Sequence, residues 1–364
     1  MSILGLHHIT LVSADAQRTL NFYVQVLGLR LVKQTVNFDD PSSYHLYFGD
    51  AIGSPGTAIT FFEWRGAPRG RRGIGGTHHF ALTVPDEVAL LKWKRRLIDH
   101  QIQVKGPYDR RYFQSIYFND PDGVIVEIAT AQPGFTVDEA QPGQHFMSPP
   151  EDIQLENQDD ERIQQRIWAD PVPLITHDMA LTAGMHHISA ITADIERTHA
   201  FFGEILGMER VKMTANFDDP TSVHWYWGVN GGQPGTLITY FERPYSTTRA
   251  SQMGTGHTHH FALAVEDEQT QQYWRERLIQ SGLPVSPVMD RDYFKSIYTR
   301  DPFGHIVELA TREPGFAVDE PVETLGQRLQ LPAMHERLRS KIEAILTPLV
   351  VPHWQDYYEG ERGS

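Results

Sequence analysis

The sequence superposes on itself. Shifted by 179 positions, HHIT at 7–10 meets HHIS at 186–189, NFDDP at 37–41 meets its copy at 216–220, and PGT at 55–57 meets PGT at 234–236. Shifted by 181, THHFAL at 77–82 meets its copy at 258–263, and PGF at 133–135 meets PGF at 314–316. The change of offset places two extra residues in the loop before His259. A repeat of this length restricts the chain to folds assembled from like units.

Each half divides again. The first unit reads as a strand (HHITLV), then a helix over 16–28 with Asp15 as N-cap and Gly28 as its stop, then three extended segments, LRLVKQTVNF, SYHLYFG and GTAITFFEW. The second runs in the same order, from HHFALTV through a helix across EVALLKWKRRLIDH to strands ending in VIVEIAT. A βαβββ module is therefore expected four times, at 5–64, 75–130, 184–243 and 256–311. The expected class is α+β, with two homologous domains, 5–130 and 184–311, each built of two modules around an open, barrel-like cleft. Residues 131–183 read as a linker and 312–364 as a helical tail. Short helices are expected at ERIQQRIWADPVPL (161–174) and ERLRSKIEAILTPL (336–349), and the closing EGERGS is expected to fray.

The chemistry is concentrated in four His-His doublets, His7-His8, His78-His79, His186-His187 and His259-His260, which open the four first strands. Strand alternation sets the second histidine of each doublet on the face of small or polar neighbours, as His79 with Ala81 and Thr83, while Phe80, Leu82 and Val84 face the helix layer. His8, His79, His187 and His260 are thus expected to face a cavity, with His7, His78, His186 and His259 on the core side. Glutamates Glu127 and Glu308 stand 48 residues after His79 and His260. A carboxylate within an apolar strand needs compensation, and two histidines with one carboxylate are a donor set for a divalent metal. A lone strand histidine is most often structural, but the repetition of the pattern argues against that here. Modules 1 and 3 have Phe61 and Tyr240 near the glutamate position, so modules 2 and 4 alone supply the carboxylate. From the residues alone the pairing of histidines with glutamates stays open, with His79, Glu127 and His187, or His187, His260 and Glu308, among the possible sets.

The βαβββ unit with a histidine on its first strand and a glutamate on its last resembles the vicinal oxygen chelate superfamily of glyoxalases, fosfomycin-resistance proteins and extradiol dioxygenases. LHHIT, YHLYFGD, GSPGT and GTHHFAL are similar to the hydroquinone ring-cleaving dioxygenases, the MhqO-like group. That resemblance implies Fe(II), with Mn(II) as the alternative, held by His8, His260 and Glu308, and a pocket with His7, Thr10, His259, Arg291 and Tyr298. It implies a small aromatic substrate of hydroquinone or catechol type, cleaved with O2. Arg291 would stabilise anionic oxygen, and Tyr298 and His259 would move protons. The alternatives are a glyoxalase-like isomerase or lyase and a non-catalytic aromatic-binding protein.

Composition narrows the setting. With 46 acidic against 32 basic residues, the net charge of −14 disfavours nucleic acid as a partner. The absence of cysteine excludes disulfides and thiolate metal sites. No apolar run reaches the roughly 18–20 residues that span a bilayer, and the start lacks the pattern of a signal peptide. A cytoplasmic protein is expected, with homo-oligomerisation left open. GIGGT at 73–77 precedes a strand, so it is not read as a phosphate loop. RGAPRGRR at 65–72 is read as a solvated basic loop.

Overall fold

Four aspartates start the module helices. Asp15, Asp86, Asp194 and Asp267 each accept a hydrogen bond from the backbone N–H three residues on, at 2.8, 3.0, 3.0 and 2.8 Å. The molecule, a computed structural model in which residues 1–360 are described, is an α+β fold of four βαβββ modules. The ERGS end of the segment expected to fray lies outside the described residues. The helices of modules 2 and 4 run over Glu87–Asp99 and Glu268–Gln280. Those of modules 1 and 3 are shorter than expected. Ala16–Asn21 and Ile195–His199 each widen into a π turn, Phe22–Val26 and Ala200–Ile205, and the first of these stops at Gly28, where φ is 72°. The expected helix at 161–174 is reduced to Asp160–Gln165, because Asp170-Pro171-Val172-Pro173 cannot continue a helix. Its counterpart is Arg339–Ile345, preceded by a single tight turn and ending short of Pro348.

The sheets do not follow the halves of the sequence. One eight-stranded sheet joins modules 1 and 4, and a nine-stranded sheet joins modules 2 and 3. In the first, the opening strands Gly5–Ser13 and His257–Val265 lie antiparallel side by side, each flanked in parallel by its own module's closing strand, Ala58–Glu63 or Ile306–Thr311. The second repeats this with Gly76–Val84 against Met185–Thr192, flanked by Ile125–Thr130 and Leu237–Glu242. The expected domain limits 5–130 and 184–311 therefore enclose pairs of modules that share no sheet. Within a half, the modules meet through their helices instead. Arg96, fully buried, donates to the carbonyls of Gln25 and Val26 at 2.8 and 2.9 Å, and Arg277 does the same for Glu204 and Ile205 at 2.8 and 2.6 Å. Phe22, Trp93, Phe202 and Trp274 belong to one continuous apolar core between the two sheets.

Buried cations tie each sheet to the segment after it. Lys33 pairs with Asp319 and Glu320 and lies 4.8 Å over the ring of Tyr293. Lys212 pairs with Asp138 and Glu139, both at 2.7 Å, over Tyr112. The connecting loops 64–75 and 243–256 carry the two-residue length difference and pair with each other, through Arg69 with Thr255, Arg71 with Gln252 and Ile74 with Ala250. Among the described residues no helix is long and apolar enough to cross a membrane.

Candidate metal centres

Every His-His doublet sits on a β-bulge. Between Gly5–Ser13 and its partner, the register steps from Leu6 opposite Leu263 to His8 opposite Ala262, leaving His7 as the extra residue. It steps again from Thr10 opposite His260 to Leu11 opposite Thr258, leaving His259 extra. The second sheet repeats both bulges, at His186 and His78. A bulge re-aims its side chain, and this revises the simple alternation. His259 and His78 were expected on the core side, yet both line a cleft beside His260 and His79. His7 and His186 stay buried behind His8 and His187.

The bulges press the two rings of each doublet together, with Nδ1 to Nδ1 distances of 2.9, 2.8, 3.0 and 2.8 Å in chain order. A histidine that offers its Nε2 lone pair to a metal carries its proton on Nδ1, and the neighbouring Nδ1 accepts it. The neighbour then carries its own proton on Nε2. In His7 that N–H donates to the carbonyl oxygen of Thr311 at 3.1 Å. In His259 it makes no hydrogen bond among the described residues and stands in the cleft, with the rings of Phe62 and Trp64 beside it. Burial first, then the adjacent ring, lowers His7 and His259 to about 3, so both are neutral.

Two triads result. His8 Nε2 and His260 Nε2 are 3.2 Å apart, and Glu308 Oε2 lies 3.3 and 2.9 Å from them. His79 Nε2 and His187 Nε2 are also 3.2 Å apart, with Glu127 Oε2 at 2.9 and 3.1 Å. Three donors about 2.1 Å from a common ion at right angles to one another would be separated by about 3.0 Å, so each triad has the dimensions of one face of an octahedron. Both glutamates are fully buried. Among the described residues Glu308 Oε2 and both oxygens of Glu127 accept no hydrogen bond of good geometry, although the imidazole nitrogens stand 2.9–3.3 Å from each Oε2. Burial raises these carboxyls, but the histidine partners outweigh it and hold both well below the ordinary carboxylate range. A buried carboxylate oxygen set between two imidazole nitrogens fits a divalent cation, which would take the nitrogen lone pairs and the carboxylate charge together. The other set left open by sequence, His187 with His260 and Glu308, is not assembled, since His187 belongs to the other sheet.

The first triad lies at the floor of a cleft of about 520 Å³. Its walls are largely aromatic, with Phe38, Tyr47, Phe62, Phe294 and Tyr298. Arg291 reaches in from the rim, its Nε donating to the Tyr298 hydroxyl at 3.3 Å and its guanidinium 3.8 Å from Asp39, rather than pairing with the adjacent Asp290 or Asp292. Thr10 is fully buried, 3.0 Å from His260 Nε2 and 2.8 Å from the Thr60 hydroxyl. From Thr60 the contacts continue to His45 Nε2 at 3.0 Å, and from His45 Nδ1 to the Tyr47 hydroxyl at 3.0 Å. Ser296 Oγ donates to Glu308 Oε1.

His45 and its counterpart His224 were missed by sequence reasoning. The signal was present, since YHLYFG and VHWYWG place a histidine at the same repeat position on an aromatic strand. The residues matching Glu308 in modules 1 and 3 also need correction. Thr60 and Thr239 lie opposite Thr10 and Ser189, as Glu308 lies opposite Ala262. Phe61 and Tyr240 point the other way, Phe61 into the core against Tyr23 and the Tyr240 hydroxyl onto Asp301. The conclusion survives the correction, for neither position holds a second carboxylate.

The family model described as Glyoxalase/Bleomycin resistance protein/Dioxygenase superfamily matches residues 5–128 and 184–309. The chain is 34% identical to "Putative ring-cleaving dioxygenase MhqO" of Bacillus subtilis (strain 168) over 351 residues, covering 96% of this chain and 97% of that one. It is 29% identical to "Chlorohydroquinone/hydroquinone 1,2-dioxygenase" of Sphingobium indicum, covering 95% and 97%. A crystal structure described as a putative dioxygenase from Bacillus subtilis superposes with a TM-score of 0.77 at 32% identity, over 97% of this chain and 99% of that one. Glyoxalase I from Zea mays, at 15% identity and a TM-score of 0.56 over 85% and 92%, shares the fold.

Proposed function

The chain belongs to the Glyoxalase/Bleomycin resistance protein/Dioxygenase superfamily and is a ring-cleaving dioxygenase, and from that premise we propose that it opens a hydroquinone-type ring with O2 at an Fe(II) centre held by His8, His260 and Glu308. The observation that carries the reading is the triad itself, a one-faced donor set at the base of an aromatic-walled cleft. Fe(II) bound there would supply open positions for a diol and O2, a lowered phenol pKa and a path for electrons between them; Mn(II) is the alternative metal.

The protein's own groups account for the rest. Phe294 and Tyr298 flank the triad and orient a flat ring between largely aromatic walls. Arg291 remains charged in the cleft and meets anionic oxygen. The free Nε2–H of His259 is placed to give a proton to, or take one from, a substrate hydroxyl. Tyr298 is a second proton carrier at the same wall. His7 acts from behind, fixing the ring and tautomer of His8, and Thr10 stands beside the Nε2 of His260 with its hydroxyl directed to Thr60 once that nitrogen is given to the metal. A glyoxalase-like reading with two carboxylates on one metal finds Thr60 where the second would stand. In this reading the partners are a small aromatic diol and O2, and the place is the cytoplasm.

The test is oxygen uptake by anaerobically Fe(II)-loaded protein, with methylhydroquinone and then catechol. Uptake with methylhydroquinone that falls more than about tenfold in Glu308→Gln is the expected result. Uptake with catechol alone would reject the hydroquinone class. No uptake with either, in protein shown to hold metal, would reject the dioxygenase reading of this cleft.

A further inference from the structure

The second cleft is not a degenerate copy of the first. His79, Glu127 and His187 reproduce the triad distances to within 0.2 Å, their neighbours His78 and His186 reproduce the ring pairs, and Arg110, Phe113, Tyr117, His224 and Tyr226 line the walls as their repeat partners do in the first cleft. The two centres match while their rims have diverged. Lys105 stands where the first cleft has Ser286, Asn119 where it has Arg300, and Arg243 at the repeat position of Trp64, which lies beside His259. The second cleft is also the larger, about 920 against 520 Å³.

Charge separates them further. The first rim carries Arg291 and Arg300 against Asp39. The second carries Arg72, Lys105, Arg110 and Arg243 against Asp218. Arg110 is held by both oxygens of Asp218, at 2.9 and 3.0 Å, and Arg243 is paired with Asp219. Among the described residues Arg72 and Lys105 have no carboxylate partner, and Arg72 donates to the carbonyl oxygen of Gly123 at 3.0 Å. Two uncompensated cations at one cleft, in a chain of net charge −14, are a local attraction for an anion. The floor differs in one bond. Ser115 Oγ donates to the Tyr117 hydroxyl at 3.2 Å, whereas Ser296 donates to Glu308, so both oxygens of Glu127 remain bare.

We propose that His79, Glu127 and His187 form a second divalent-metal centre in the same chain, and that its cleft takes a larger aromatic diol bearing a carboxylate, which Arg72 and Lys105 receive at the rim. This rests on the reading of the first cleft as a metal-dependent diol site. Metal stoichiometry, measured by elemental analysis after anaerobic Fe(II) loading and desalting, separates the two claims. Two equivalents per chain are expected, falling to one in Glu127→Gln, one in Glu308→Gln and none in the double variant. One equivalent, kept in Glu127→Gln and lost in Glu308→Gln, would overturn the second centre and leave the first standing. No metal in the unaltered protein would overturn both.

The ligand class is read in metal-loaded Glu308→Gln, where the second cleft alone is intact, by anaerobic calorimetric titration. The carboxylated probe 2,5-dihydroxyphenylacetate is expected to bind about tenfold tighter than methylhydroquinone, as a charge-assisted contact provides. Arg72→Gln with Lys105→Gln, both away from the triad, should abolish that preference. Equal affinities, or a preference that survives the double rim substitution, would overturn the anionic-substrate assignment.

Discussion

His7 and His259 hold the same place in their doublets and differ in one bond. The outer N–H of His7 is spent on the Thr311 carbonyl, while that of His259 is left in the cleft. This separates a positioning residue from a proton carrier. His259→Ala is expected to lose about a hundredfold in kcat even when saturated with iron, the usual scale of a positioned acid–base group, and to bind iron more weakly as well, because its Nδ1 also accepts from the ligand His260. His7→Ala is expected to weaken iron about tenfold or more in chelator competition, the scale found when an outer partner of a ligand is removed. If iron-saturated His7→Ala loses as much kcat as iron-saturated His259→Ala, the division of roles is wrong. Sequence alternation could select His8 and His260, but it could not distinguish His7 from His259, because the two bulges that aim them are set by cross-strand register.

At the scale of elements, the helices show which parts of the fold were legible. The Asp15 cap and the Gly28 stop were readable because each answers a local backbone need, and the four modules because they repeat. The widening of two helices into π turns was not readable, and neither was the arginine from the adjacent module that closes the carbonyls at the end of each. Arg96 closes the carbonyls of Gln25 and Val26 and also reaches Val172 and Pro173 at 3.3 and 2.7 Å. Arg96→Ala would leave several buried carbonyls unpaired and is expected to cost about 2–4 kcal/mol, while Arg277→Ala, whose side chain is half-exposed, should cost about 1 kcal/mol. Denaturant titration of both variants checks the order; equal losses would contradict it. The partition of sheets was equally hidden. Each opening strand could pair with any of the other three, and the choice rests on non-local anchors such as Lys33 with Asp319, which no local pattern announces.

For the whole molecule, the buried histidines form a proton-sensitive core. Burial lowers His7, His78, His186, His259 and His305 to about 3, against an ordinary 6.5 that they regain on unfolding. Between those values the unfolded chain takes up protons that the folded one refuses, so stability falls as pH drops below 6.5. Metal-free protein should therefore show a Tm that declines steadily from pH 6.5 to 4.5, and a flat profile would contradict the assignment. The pairing of modules also has a temporal side. Modules 2 and 3 are enclosed in sequence by modules 1 and 4, like an inner bracket within an outer one. During synthesis the inner triad has all its donors once His187 has emerged, but the outer triad waits for Glu308. A chain cut short between the two positions carries one complete donor set, and the histidine that opened the sequence is left without its partners.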